Sequence, residues 1–265
     1  MIDIGVNLTN SRFLKDLPDV LARAKTVGVS QCLVTGTSVT ESQQAIDLCQ
    51  QFPSYLASTC GIHPHDADQA GDNYIEQLAQ LANQHDCVKA IGECGLDFNR
   101  NFSTAENQKR VFKAQITLAE QLQLPLFLHQ RDAFEEWFAC LKPFVGKVPA
   151  MVSHCFTGSA NELEVCLAND MYIGITGWVC DERRGQALQE IVHNIPLNRL
   201  MIETDAPYLT PRTIRPKPKS SRNEPSYLPY VVKTLSALYD VAEETIIEHS
   251  TKNAIRVFNL GAANA

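Results

Sequence analysis

No apolar run in this 265-residue chain approaches the roughly 20 residues that a bilayer-spanning helix requires. Met1-Ile2-Asp3 runs directly into structured-looking sequence, with no basic segment of the kind that opens a secretory leader. Paired cysteines are lacking as well: the nine thiols are scattered singly, several inside apolar runs such as Gln31-Cys32-Leu33-Val34, and no CxxC occurs. Reduced, buried thiols in the cytoplasm, away from any membrane, are therefore expected. Positive charge is short too, 23 Lys and Arg against 30 Asp and Glu, for a formal net charge of -7. That balance excludes a protein that coats nucleic acid with a generally basic surface, so any phosphate contact must come from a local basic site. Repeats, low-complexity tracts and a dividing linker are absent, which leaves one domain over residues 1–265, and a monomer, as the expectation.

What is present is the material of a sizeable core, with 45% hydrophobic and 20% charged residues. Short β-rich apolar runs alternate with longer amphipathic segments, as parallel βα units require. The runs are Ile2 to Val6, Gln31 to Thr35, Tyr55 to Gly61, Val88 to Glu93, Leu126 to His129, Met151 to His154, Tyr172 to Ile175 and Leu200 to Asp205. With a length close to the about 250 residues of a closed barrel, the pattern predicts an α/β fold of the (β/α)8 TIM-barrel type. Helix starts are read at Ser103-Thr104-Ala105-Glu106 and at Thr40-Glu41-Ser42-Gln43. A proline-rich stretch from Pro207 to Pro229 is too long for an ordinary connection and reads as a functional loop after the eighth strand.

Ionisable residues end four of these strands: Glu93, His129, His154, and Glu203 with Asp205. In a parallel barrel all such ends open onto one face. A single polar strand end usually caps or satisfies a core group, whereas four together point to a site. Two imidazoles with carboxylates make a mixed N/O donor set suited to Mg²⁺, Mn²⁺, Zn²⁺ or Fe²⁺ rather than to a thiolate metal. Glu93, His129, His154 and Asp205 are the expected ligands of one or two divalent ions. Glu93, bridging, and Asp205, as proton acceptor, are the expected catalytic groups. Glu203 shares a strand face with Asp205 and is expected to orient a ligand.

His63, within Gly61-Ile62-His63-Pro64-His65, is expected to bind phosphate, with a structural turn as the alternative. Arg131 lies two residues past His129 and is assigned to the same task. So is Arg222, the last of five basic residues between Arg212 and Arg222 with no acid among them, with a solvated charged loop as the alternative. Tyr208, Phe98, Phe102, Phe156 and Trp178 fall near strand ends, where stacking on bases and packing in the core are both open. A small-molecule amidohydrolase or esterase would use the same metal mouth, and a binding protein of weak activity is a third class. The basic loop favours phosphodiester substrates over the former, and the ligand set argues against the latter.

These residues fall in segments that resemble the TatD deoxyribonuclease family of amidohydrolase-like metal hydrolases nearly from end to end. They include Ile91-Gly92-Glu93-Cys94-Gly95-Leu96-Asp97, Gln108 with Phe112 and Gln115, His129-Gln130-Arg131, Ser153-His154-Cys155-Phe156-Thr157-Gly158 and Glu203-Thr204-Asp205-Ala206-Pro207. Asp3 to Asn10, Asp97 to Phe102 and Trp178 to Arg184 are similar to the family's eponymous bacterial branch rather than to its paralogues. The resemblance implies a metal-dependent 3′→5′ exonuclease preferring single-stranded DNA, with RNA as a further substrate, a role in DNA repair or degradation, and Mg²⁺ as the first-choice ion. Most of the family begins with an H-x-H pair that ligates one metal, where this chain has Gly5 and Asn7. A second ion near Asn7 and Asp205 is therefore expected to bind weakly, and changing Gly5 and Asn7 to histidine to restore a tight site, provided the strand end tolerates the new side chains.

Overall fold

The computed structural model describes residues 1–261, so the last four residues of the expected domain lie outside it. Eight strands form one parallel sheet in chain order: β1 (Ile2–Val6), β2 (Gln31–Val34), β3 (Leu56–Cys60), β4 (Val88–Asp97), β5 (Leu126–Arg131), β6 (Met151–Ser153), β7 (Tyr172–Ile175) and β8 (Leu200–Ile202). The helices are α1 (Leu17–Thr26), α2 (Val39–Gln51), α3 (Tyr74–Gln84), α4 (Ala105–Leu122), α5 (Phe134–Leu141), α6 (Ala160–Ala168), α7 (Gln186–Ile191), α8 (Leu228–Tyr239) and α9 (Glu243–Phe258). The alternation predicted from apolar runs is thus the observed TIM-barrel architecture. Thr104 accepts from Asn107 N to start α4 where expected, whereas α2 starts earlier than Thr40 because Ser38 supplies the cap, its hydroxyl accepting from Glu41 N.

The barrel closes beyond the ladder of β8. Asp205 N donates to Gly5 O at 2.8 Å, Asn7 N donates to Ala206 O at 2.8 Å, and Val6 bridges Ala206. Strand β8 stops short of Asp205 because Thr204 N turns to the Asp3 carboxylate and Asp205 adopts φ 53°, which leaves the extended region. Strand β4 instead runs four residues past its expected end at Glu93. Its register against β5 shifts between Ile91 and Cys94, and a β-carbon on Gly95 would overlap His129 O, so only glycine lets the two backbones approach here.

Inward-facing Ile2, Ile4, Leu33, Phe127, Val152 and Met201 fill the barrel, and α9 closes it with Ala254, Val257 and Phe258. Each such aliphatic or aromatic side chain contributes about 1.5–3 kcal/mol on burial. A second, larger core packs the outer strand faces against the helices.

Asp3 is fully buried, and its carboxylate ties β1 to the end of β8 by accepting from Thr204 N at 2.9 Å and Thr204 Oγ1 at 2.5 Å. Burial pushes its pKa up to about 7 against these hydrogen bonds. A folded-state pKa above the unfolded one means that this contribution to stability is full below about pH 4 and is lost as pH rises through about 7. Asp3→Asn keeps an acceptor for Thr204 N and should flatten the decline between pH 4.5 and 7.5, a difference on the order of 3–4 kcal/mol at the upper end. Urea midpoints measured across that range for both proteins test this, and parallel curves would refute it.

Candidate metal and phosphodiester site

Glu93 stands at the centre of the strand-end face. Its Oε1 lies 2.9 Å from His129 Nδ1 and 3.3 Å from both His63 Nε2 and His154 Nε2. Burial alone would raise its carboxyl, but the three imidazoles outweigh burial and hold it well below the usual range. His154 is buried, which disfavours its charge, yet Glu203 at 2.7 Å from Nδ1 and Glu93 on the other side hold its pKa well above the ordinary value. His129 is raised for the same reason by Asp97 and Glu93, while burial prevails at His63 and lowers it. An anionic carboxylate beside two imidazoles that hold protons, His129 and His154, and a third, His63, that burial keeps neutral is a set of donors that a divalent cation can take over by displacing those protons.

The donor set fits such an ion. His63, Glu93 and His129 offer atoms all within 4.8 Å of one another, and His154 shares the same carboxylate oxygen. His129 Nε2 is buried without a hydrogen-bond partner, its nearest carboxylate oxygen being Asp97 Oδ2 at 3.5 Å, so protein groups alone do not satisfy the ring. Nitrogen and oxygen donors suit a hydrolytic divalent metal.

Of the residues singled out in the sequence, Glu93, His129, His154, Asp205, Asn7 and Arg131 all line one cavity of about 1060 Å³. His63, assigned to phosphate, lines the same cavity and also belongs to the tight donor cluster. Asp205 faces the cavity outside that cluster, with Asn7 Nδ2 donating to its Oδ1 at 3.0 Å. Burial, with Glu93 and Glu203 nearby, pushes the Asp205 carboxyl up to about 7, against His154 and Asn7. Glu203 is fully buried, holding His154 Nδ1 through Oε2 and accepting from Cys155 N at 2.6 Å through Oε1.

The basic loop does not go where its charge suggested. Arg222 forms a two-pronged pair with Asp16 at 2.7 Å on each oxygen and is not among the cavity residues. Arg212 pairs with Glu182, and Arg215 donates to the carbonyls of Arg212 and Ile214. Acids from the loops after β1 and β7 engage this loop, a pairing that composition within the loop cannot reveal. The cations that do line the cavity are Arg100, Arg131 and Arg184, the last lying over the Trp178 ring at 4.5 Å.

Asp97 was given no role in the sequence reading, and His65 only a place in the turn beside His63. Asp97 Oδ2 lies 2.7 Å from His65 Nε2, and Oδ1 accepts from Asn99 N and Arg100 N. The signal was present: offsets of two from Glu93 reach Gly95 and Asp97, one continuous strand face. Two glutamines on one face of α4 hold this side of the site. Gln108 bonds both N and O of Asp97, and Gln115 bonds both N and O of Ile62, next to His63. A β-carbon on Gly5 would overlap Glu203 Oε2, so a histidine there requires the Glu203 carboxylate to move.

A family model described as "TatD related DNase" matches residues 2–259. A protein of Pectobacterium atrosepticum named 3′-5′ ssDNA/RNA exonuclease TatD is 53% identical over 260 residues, covering 98% of this chain and all of the relative. Its namesake in Salmonella typhimurium is 52% identical over 236 residues, 89% of this chain and 90% of the relative. Among solved structures, a TatD-family hydrolase of Entamoeba histolytica superposes with a TM-score of 0.90 at 26% identity, covering 98% of each chain. With the barrel, the Glu93-centred cluster and these likenesses together, the chain belongs to the TatD-related DNase family.

Proposed function

We propose that this protein is a metal-dependent nuclease that removes nucleotides from the 3′ end of single-stranded DNA and also accepts RNA. The cluster of three imidazoles around Glu93, open to a cavity lined by arginines, carries the reading. Glu93, His129 and His154 hold the ion, with His63 beside them, and Mg²⁺ is the proposed metal. A divalent ion held by these residues would supply Lewis-acid chemistry at the phosphoryl group and a more acidic water. Asp205, held by Asn7, would serve as the proton acceptor for the attacking water, and Glu203 fixes the His154 ring. Arg131 and Arg100 orient the substrate phosphate by charge-assisted hydrogen bonds. We propose further that the barrel acts as a single domain, a monomer, in the cytoplasm; among the described residues no helix is long and apolar enough to cross a membrane.

The test is to incubate the Mg²⁺-loaded protein with 5′-labelled single-stranded DNA and with RNA. A ladder shortening from the 3′ end is expected, and intact substrate across Mg²⁺, Mn²⁺ and Zn²⁺ would refute the reading. The arginine assignment has its own expected result. Arg131→Ala should raise KM about tenfold with a smaller change in kcat and make the salt dependence of binding shallower, whereas Lys217→Ala with Lys219→Ala, on the outlying loop, should do neither.

A further inference from the structure

Four large apolar side chains are prominently exposed among the described residues: Leu14, Val27, Phe102 and Tyr208. Single exposed hydrophobics are ordinary, so the significance lies in placement. Phe102 and Tyr208 both line the cavity that holds the Glu93 cluster. They come from the loops after β4 and β8, which face each other across a ring of eight strands.

Both are held in place while their rings stay in solvent. Phe102 is 66% exposed and packs edge-on to His65, ring centroids 4.8 Å apart. Its chain neighbours are fixed: Asn101 Nδ2 donates to Phe98 O, and Ser103 Oγ donates to His65 O. Tyr208 is half exposed, its N donating to Asp205 O and its hydroxyl accepting from Asn10 Nδ2 at 3.2 Å. Rigid aromatic faces lose little entropy when a flat partner stacks on them.

We propose that Phe102 and Tyr208 are base-stacking platforms on the two sides of the metal cluster. Each takes one unpaired nucleobase, and the phosphodiester joining them lies over Glu93. The proposal rests on the nuclease reading above and adds the source of strand selectivity. In a duplex both faces of a base are occupied by its neighbours, so only an unpaired segment can offer two free faces at once.

Phe102→Ala and Tyr208→Ala, both at exposed positions that do not threaten the fold, should each raise KM for single-stranded DNA roughly 5- to 150-fold. The KM for duplex DNA should stay put, and Phe102→Trp should restore the wild-type value. Binding is read separately, in EDTA, with oligonucleotides carrying 2-aminopurine at the terminal or the penultimate 3′ position. Stacking quenches the fluorescence of the wild-type complex, and each alanine variant should lose quenching at one position. Unchanged KM and quenching in both variants, or an equal loss on single-stranded and duplex DNA, would overturn the proposal. Quenching that depends on the two rings in a protein that cleaves nothing would leave the platforms standing and remove the hydrolytic reading instead.

Discussion

Glu93→Ala should lower kcat/KM on single-stranded DNA by at least about 10³-fold while leaving the thermal midpoint of the metal-free protein within a few degrees of wild type. One side chain does this because its Oε1 is the common neighbour of three imidazoles. Removing it takes away the anionic donor that concentrates a cation and the group that pairs His129 and His154. Uncompensated buried charge is ordinarily costly, but His154 keeps Glu203 and His129 keeps Asp97 beside it, and an imidazole left without a partner can become neutral. The barrel's stability resides in the strand interior and the helix-facing core, away from the strand-end face. Added metal should stabilise the wild type by RT ln(1 + [L]/Kd) and the variant scarcely at all. Calorimetric scans with and without Mg²⁺ or Mn²⁺ read this directly, and a metal-induced rise in the variant equal to that of wild type would sink the assignment.

Gly5→Ala should destabilise the protein by about 3–5 kcal/mol, a large effect for one methyl group. The added carbon meets Glu203 Oε2, a fully buried oxygen whose carboxylate also holds His154 Nδ1 and Cys155 N. The carboxylate must swing away, leaving its partners unpaired in the interior, and overpacking adds to that cost. A second change, Glu203→Ala, should recover part of the loss, giving a coupling of more than 1 kcal/mol in a double-mutant cycle of urea midpoints. Independent effects would show that Gly5 is required for another reason. The same overlap means that histidine at position 5 must displace the Glu203 carboxylate before a second metal site can form there.

The barrel was legible because eight apolar runs alternate with amphipathic segments, a pattern that depends only on local periodicity. Glu93, His129, His154 and Asp205 were legible because a parallel barrel sends every strand end to one face. Asp97 was missed because Gly92 and Gly95 interrupt the apolar run, although they are what lets β4 continue against β5. Arg222 was misplaced for the opposite reason. Its charge is plain in the sequence, but its partner Asp16 lies 206 positions away, and nothing in local composition reveals such a pairing. His63 read as a phosphate ligand from its Pro-containing turn, and the turn gave no sign that the fold brings its ring to a centroid distance of 4.5 Å from His129.

The seam between the first and last strands also has a consequence for biosynthesis. Asp3 and Thr204, which fasten it, are separated by 201 residues. At about 5–20 residues per second, the ribosome needs roughly 10–40 s to deliver the second after the first. Throughout that interval the free edge of β1, whose five residues are all buried in the finished barrel, has no partner on its outer side. An unpaired apolar edge is a template for wrong pairing with other chains. Codon-level pauses before Thr204 should therefore reduce soluble yield more than pauses placed once Ala206 has left the ribosome, when the nascent chain can fasten its own seam.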